Sequence, residues 1–390
     1  MIIGIDIRSI GKKQTGGEAV FFNLVKNLAL IDNKNEYKLF TDISEEAVIS
    51  KIKKDLGIEN KPAFEVISLV AVSPLRNKFG WNVWTLPKYL RKNPVDIYHT
   101  QYITPFFVPK RTKIVTVIHD ISFNFFPQFI KLADLFFLKT LIPLSLKRAD
   151  KIIAVSKFTC DEIVKYYEID PRKSDWIYNA VADNFSKEDT LPEKLDTIRK
   201  KYDLPEKFIL YIGTMQPRKN LPVMVEAYAK IKNIIPEIKL VLVGGKGAYN
   251  FDKNIGKTIH KFHLSADVVF PGFVPEEEKP AFFKLAKAFC FPSRYEGFGI
   301  PVLEAFAAGT PAVISDIAPH REIAGKGALF FDPKDTNDLA EKLKQIIQDE
   351  NLRNKLVEKG KMQARKFSWK NSAEKMLDIY NKMTSIDRKS

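Results

Sequence analysis

Cysteine is scarce in this chain: two in 390 residues, Cys160 and Cys290, far apart in sequence. That excludes a disulfide framework, and both read as buried free thiols of a cytosolic protein. No cluster of histidine, cysteine and carboxylates has metal-ligand spacing, and there is no Asp-x-Asp pair to hold a metal-bound nucleotide. No run reaches the roughly 18 apolar residues a membrane-spanning helix needs. The start, Met1-Ile-Ile-Gly-Ile-Asp-Ile7, enters a strand pattern at once and lacks the charged-then-apolar layout of a signal peptide. Internal repeats and low-complexity tracts are missing as well. Acidic residues are in deficit, 47 against 62 Lys and Arg, a formal charge of +15. Such a balance suits nucleic acid, an anionic membrane surface or phosphorylated substrates. Zinc-finger spacing, an arginine-rich tail and an RNP-like aromatic strand are all absent, which argues against nucleic acid.

What is present is a globular composition, 45% hydrophobic and 28% charged, in a chain long enough for two domains. Strand-like runs alternate with helical patterns from end to end, which implies α/β architecture with parallel sheets covered by helices. Strands are expected at 2–7, 37–40, 64–69, 96–99, 113–119, 151–155 and 175–178, then at 208–213, 240–243, 268–273 and 288–291. Ser186 to Lys201 is charged, carries no strand signal and reads as a linker between domains. The loop from Arg8 to Glu18 contains Gly16-Gly17, a weak phosphate-loop signal. Two strands end in histidine, at His99 and at His119-Asp120, and ligands collect at the carboxyl ends of strands in open α/β sheets.

The most informative stretch is Phe291-Pro-Ser-Arg-Tyr-Glu-Gly-Phe-Gly-Ile-Pro-Val-Leu-Glu-Ala-Phe-Ala-Ala-Gly-Thr-Pro311. It reads as strand, glycine loop and short helix. Gly297 and Gly299 permit a tight turn, Pro301 suits the first helical turn, and Gly309 with Pro311 stops the helix. Free N–H groups around Ile300 to Leu303, with the helix dipole behind them, form an anion site suited to phosphate. Glu296 lies in the loop and Glu304 is placed in the first helical turn, where a carboxylate is also ordinary dipole chemistry.

This string resembles the Glu-x7-Glu motif of the retaining family 4 glycosyltransferases, which have the GT-B fold. Pro217-Arg218-Lys219-Asn220 after Gly213 resembles that family's pyrophosphate loop, and Ile118-His119-Asp120 resembles the segment whose histidine contacts the transferred sugar. The likeness runs through Ile177-Tyr-Asn-Ala-Val181, Val274-Pro-Glu-Glu-Glu278, Ser315 to Glu322 and Ala328 to Pro333. It departs at Asn179-Ala-Val-Ala182, where Asn-Gly-Val-Asp is common, and at Thr214, where many members carry arginine. The resemblance implies two Rossmann-like, doubly wound domains facing a central cleft. The first is an acceptor domain, 1–185, with a last helix at about 370–390 packing back on it; the second is a nucleotide-sugar donor domain, 186–369.

By the same resemblance, His119, Glu296, Arg218 and Lys219 are the catalytic residues. Gly16, Gly17, Gly213, Gly297, Phe298, Gly299, Ile300, Val302, Leu303 and Glu304 bind the donor, with Glu304 on the ribose. No metal or other cofactor is implied, and GDP-mannose is the favoured donor, since Ile5-Asp-Ile-Arg8 and Gly213-Thr-Met-Gln-Pro-Arg-Lys-Asn220 look like polysaccharide mannosyltransferases. A glycan or polyprenyl-linked glycan would be the acceptor, and surface polysaccharide synthesis the setting. A nucleotide-sugar epimerase of the same fold and a non-enzymatic basic protein binding nucleic acid are the alternatives. Two basic, aromatic segments, Ser73 to Lys92 and Pro127 to Lys147, suit either a core-facing helix or peripheral binding to an anionic membrane from the cytoplasmic side.

Overall fold

The computed structural model describes residues 1–12, 16–69, 80–182, 185, 191–245 and 250–385. The chain forms two compact units. One comprises Met1–Asn124, Leu132–Asn179 and Ser368–Ser390; the other comprises Phe125–Lys131 and Ala180–Phe367.

The first unit holds a seven-stranded parallel sheet: β1 (Ile2–Asp6), β2 (Glu36–Thr41), β3 (Phe64–Ser68), β4 (Ile97–Gln101), β5 (Lys113–Ile118), β6 (Lys151–Ala154) and β7 (Ser174–Trp176). Its order is β3-β2-β1-β4-β5-β6-β7. The second unit holds a six-stranded parallel sheet: β8 (Phe208–Ile212), β9 (Lys239–Val243), β10 (Val268–Gly272), β11 (Ala288–Phe291), β12 (Ala312–Ser315) and β13 (Ala328–Phe331). Its order is β10-β9-β8-β11-β12-β13. The central strands β8, β11 and β12 are buried along their whole length. That is why they read as continuous apolar runs: in a parallel sheet both faces are covered by helices.

The ends of β1 to β11 fall within two residues of the sequence expectation, β12 and β13 are strands that expectation does not include, and two local expectations change. The helix after β1 spans Gly16–Ile31, so Gly16 and Gly17 open a helix instead of sitting in a loop. A Cβ at Gly16 would meet nothing within 4 Å, so no close approach inside this unit requires that glycine. Part of the expected linker is helical, Pro192–Lys201, with its only buried residue Ile198; residues 186–190 lie outside the described residues. Lys246-Gly247, Asp183 and residues 73–79 of the first basic segment also lie outside them.

Within the first unit the last helix, Trp369–Ser385, packs on Gly16–Ile31. His99 lies in the middle of β4, not at its end as the sequence suggests; it is fully buried, and its Nδ1 lies 2.5 Å from Tyr380 Oη on that helix. Burial lowers the pKa of this imidazole to about 3. His99 is therefore an anchor for the last helix. Trp81 belongs to a core cluster with Phe40, Leu86, Leu90, Val95 and Tyr98, whereas Trp84 is 63% exposed. The second basic segment forms a helix, Leu132–Arg148, that leaves Leu132, Phe136, Phe137 and Leu144 exposed while Ile142 and Leu146 are buried. Cys160 and Cys290 are buried free thiols, as expected.

Candidate active site

Strands β8 and β11 are neighbours in the middle of the second sheet, and strand order reverses between them. Loops leaving the carboxyl ends of two such strands turn to opposite faces and open a crevice, the standard ligand position in an open parallel sheet. The loop after β8 contains Gly213, Thr214 and a 3₁₀ turn at Pro217–Lys219. The loop after β11 contains Glu296 to Gly299 and leads into the helix Ile300–Ala308. The two loops are tied directly. Arg294 N–H donates to the Arg218 carbonyl at 2.8 Å, and Arg294 Nε donates to Asn220 Oδ1 at 3.0 Å.

Between the loops lies a three-residue ion cluster. Lys219 Nζ donates to Glu296 Oε1 at 2.5 Å. Arg218 Nη1 is 3.2 Å from Glu296 Oε2 and 3.0 Å from the Tyr295 carbonyl. Glu296 is only 6% exposed. Burial alone would raise its pKa, but the charges of Lys219 and Arg218 and the Lys219 hydrogen bond outweigh it and hold the pKa down at about 2. Two cations against one carboxylate leave the cluster positive, with Arg218 still partly open to solvent.

Glu304 differs in both place and charge. It is the fifth residue of its helix, in the second turn and not the first, so the dipole account of a first-turn carboxylate does not apply. It is 6% exposed. Burial raises its pKa to about 7, opposed by the charge of Lys279 and reinforced by Glu276. Lys279 in turn pairs with Glu276. Near neutral pH this carboxyl group is half ionised.

The donor set at the helix start is smaller than the sequence suggests. Pro301 has no N–H, and the Val302 N–H is taken by the Gly299 carbonyl at 3.0 Å. The side chains of Val302 and Leu303 are fully buried, and Phe298 packs edge-on against Phe367, ring centroids 5.8 Å apart. These residues can meet a ligand only through their backbones. Gly299 adopts φ +110°, a conformation closed to most side chains, and a Cβ there would come within 3.1 Å of Ile323 Cδ1. Gly213, at φ +153°, lies so close to Gly244 that a Cβ on Gly244 would sit 2.2 Å from the Gly213 carbonyl oxygen. Thr214, the residue after Gly213, has its carbonyl bonded by Tyr211 Oη at 2.7 Å. Among the described residues no group of three or more His, Cys, Asp or Glu side chains is placed to hold a metal ion.

In the first unit, His119 follows β5 and is half-buried, with Nε2 2.9 Å from Gln101 Oε1. Burial lowers its pKa, so the ring is neutral at pH 7. Gly16, Gly17 and His119 thus belong to the first unit, and all the other candidate residues to the second.

Residues 16–185 match the family Glycosyltransferase Family 4, and residues 195–363 match the family of glycosyl transferases group 1. The chain is a glycosyltransferase. It is 27% identical over 379 residues to an O-antigen chain mannosyltransferase B of Escherichia coli, covering 94% of this chain and 96% of that one. In fold it is similar to a sucrose-phosphate synthase from Thermosynechococcus elongatus, at TM-score 0.77 and 19% identity over 99% of this chain and 100% of that chain. It is also similar to HepE of Anabaena solved with UDP and glucose, at TM-score 0.74 and 17% identity over 98% and 100%. These likenesses give the glycosyltransferase the GT-B fold.

One residue at this site escaped the sequence reading. His320 of the glycosyltransferase is fully buried behind the glycine loop. Its Nδ1 is 2.9 Å from the Ser315 carbonyl, which makes Nδ1 the protonated nitrogen. Nε2 has no hydrogen-bond partner and would stand 3.7 Å from a Cβ on Gly299. Burial lowers its pKa to about 4. The sequence offers His320 only as part of the stretch Ser315 to Glu322 and gives no sign that its ring backs Gly299.

Proposed function

We propose that this glycosyltransferase moves a mannosyl group from GDP-mannose to a glycan or polyprenyl-linked glycan acceptor, with retention of anomeric configuration. The reading rests above all on the Arg218–Lys219–Glu296 cluster at the β8/β11 switch point. A departing nucleoside diphosphate gains negative charge as the glycosidic bond lengthens, and preorganised cations held away from water stabilise that charge more in the transition state than in the ground state. Arg218 and Lys219 serve this role without a divalent metal. Glu296 fixes both cations and presents the remaining lone pairs of its carboxylate to the transferred sugar. Glu304, when ionised, accepts hydrogen bonds from the ribose hydroxyls. His119 contacts a hydroxyl of the transferred sugar.

Mannose as the sugar is supported by the similarity to an O-antigen chain mannosyltransferase of Escherichia coli along nearly the whole chain. The complex of HepE with UDP and glucose names the competing donor class. The net charge of +15 and the exposed face of Leu132–Arg148 support work on a lipid-linked acceptor at an anionic membrane surface.

The test is a donor screen by calorimetry, GDP against UDP and then their sugars. Transfer from GDP-mannose to a polyprenyl-linked glycan extract follows, with NMR of the product's anomeric proton and carbon. Preferential GDP binding and a retained configuration are expected in chelator-treated buffer. A preference for UDP overturns the donor, an inverted linkage overturns the stereochemistry, and activity restored only by magnesium or manganese overturns the metal-free reading.

A further inference from the structure

His119 sits in a built environment. Gln101 is the last residue of β4, and Val117, its register partner on β5, stands two residues before His119. Gln101 Oε1 faces His119 Nε2 at 2.9 Å. A carbonyl oxygen can only accept, so Nε2 must carry the ring proton and Nδ1 must hold the bare lone pair. The next residue, Tyr102, takes the left-handed region at φ +57°, uncommon for an aromatic side chain. Its backbone N–H is bonded to the Val117 carbonyl at 3.0 Å, and the Asp120 N–H donates to its hydroxyl at 3.3 Å. Its ring lies 5.5 Å from the imidazole, centroid to centroid. Strain of this kind persists only where the surroundings over-determine it, and it concentrates at functional sites.

We propose that Gln101 is a positioning residue that fixes His119 as its Nε2–H tautomer, so that Nδ1 is the atom offered to a hydroxyl of the transferred sugar. Asp120 and the Tyr102 ring also lie near the imidazole. Asp120 favours the charged imidazole, whereas burial keeps it neutral. Asp120 also accepts the Ser122 N–H and hydroxyl at 2.9 and 2.7 Å on Oδ1, while Gln101 presents its carbonyl oxygen to Nε2 at 2.9 Å. The sugar contact rests on the proposed function; the tautomer does not.

The experiment separates the two. Protein labelled with ¹⁵N-histidine is examined at pH 7.5 without ligand by long-range ¹H–¹⁵N correlation, the His119 signal being assigned by its loss in His119→Asn. A protonated Nε2 with a bare Nδ1 is expected, and Gln101→Leu should shift the ring toward a tautomer mixture. Gln101→Glu keeps an acceptor and adds charge, so it should retain the Nε2–H form and move protonation of His119 to higher pH. A protonated Nδ1 in the parent protein, or a pattern unchanged in Gln101→Leu, overturns the proposal. For turnover of GDP-mannose, Gln101→Leu should lower kcat about tenfold, the scale of one net hydrogen bond, with affinity for free GDP unchanged. A shifted tautomer with unaltered kcat supports the positioning role and removes His119 from the sugar.

Discussion

Lys219 Nζ and Glu296 Oε1 are 2.5 Å apart, both side chains buried, although 76 residues separate them in the sequence. The pair joins the loop after β8 to the loop after β11, so it fixes the geometry of the switch point as well as its charge. Glu296→Gln keeps one acceptor oxygen but leaves two cations facing a neutral group. Affinity for the free nucleoside diphosphate should be unchanged or higher, while kcat falls by about 10²-fold or more, the scale for losing one preorganised charge contact. Calorimetry beside steady-state kinetics decides it. Lost nucleotide affinity at intact kcat would reverse the assignment.

The same carboxylate sets an acid limit on stability. Its folded pKa, about 2, lies below the ordinary 4.5, so its contribution is complete above pH 4.5 and lost as pH falls toward 2. Thermal unfolding of the parent and of Glu296→Gln should differ most near neutrality, by about 3 kcal/mol, and converge toward pH 2. A difference that grows on acidification would contradict the linkage.

Glu304 has the opposite sign. Its folded pKa, about 7, stands above 4.5, so the folded state holds its proton more tightly and stability is lost as pH rises from 4.5 to 7. At about 1.4 kcal/mol per pH unit, the cost has a ceiling of about 3 kcal/mol. Glu304→Gln should therefore raise Tm at pH 8 and leave it unchanged at pH 4. In the parent, GDP affinity should climb through pH 7 as the carboxylate forms, and Glu304→Gln should flatten that climb. A flat parent profile would remove Glu304 from the ribose.

Tyr380→Phe deletes the hydroxyl that meets His99 and leaves a fully buried imidazole without that partner. A loss of about 1–3 kcal/mol is expected, with faster amide exchange confined to Trp369–Ser385 and the neighbouring Gly16–Ile31. Exchange that rises equally in both units would show that the contact is not local.

On the helix Leu132–Arg148, Leu132 is 84% and Phe136 69% exposed, beside Lys131, Lys139 and Lys147. Apolar rings among lysines suit the boundary of an anionic bilayer. Vesicles containing anionic lipid should sediment the protein at low salt and neutral vesicles should not. Phe136→Ser with Phe137→Ser should weaken binding at least about tenfold. Equal recovery with both vesicle types would return this face to bulk solvent.

Much of the fold was legible because the deciding signals are local. Phe208–Ile212 and Ala288–Phe291 are short apolar runs bounded by glycine and proline, and the string from Phe291 to Pro311 carries its own turn chemistry. What stayed hidden depends on contacts between distant positions. Nothing near Glu304 in sequence announces that burial raises its pKa, or that Lys279 and Glu276 act on it as well. Nothing near Gly299 announces the ring of His320 behind it. Gly16 looked like a loop glycine because glycine is a poor helix former, yet packing of the apolar face Val20, Phe21, Leu24 and Leu28 carries the helix back through it. Tertiary burial decided that boundary, and propensity did not.

The last helix counts with the first unit, although the chain reaches it only after building the second. During synthesis, the groove over Gly16–Ile31 therefore stays bare, with His99 waiting for Tyr380, until the whole second unit has left the ribosome. A fragment cut near Asn179 would keep every strand of the first sheet and still present that open apolar strip, inviting self-association. Because the first unit is completed by residues that follow the second in the chain, no single contiguous cut contains it alone.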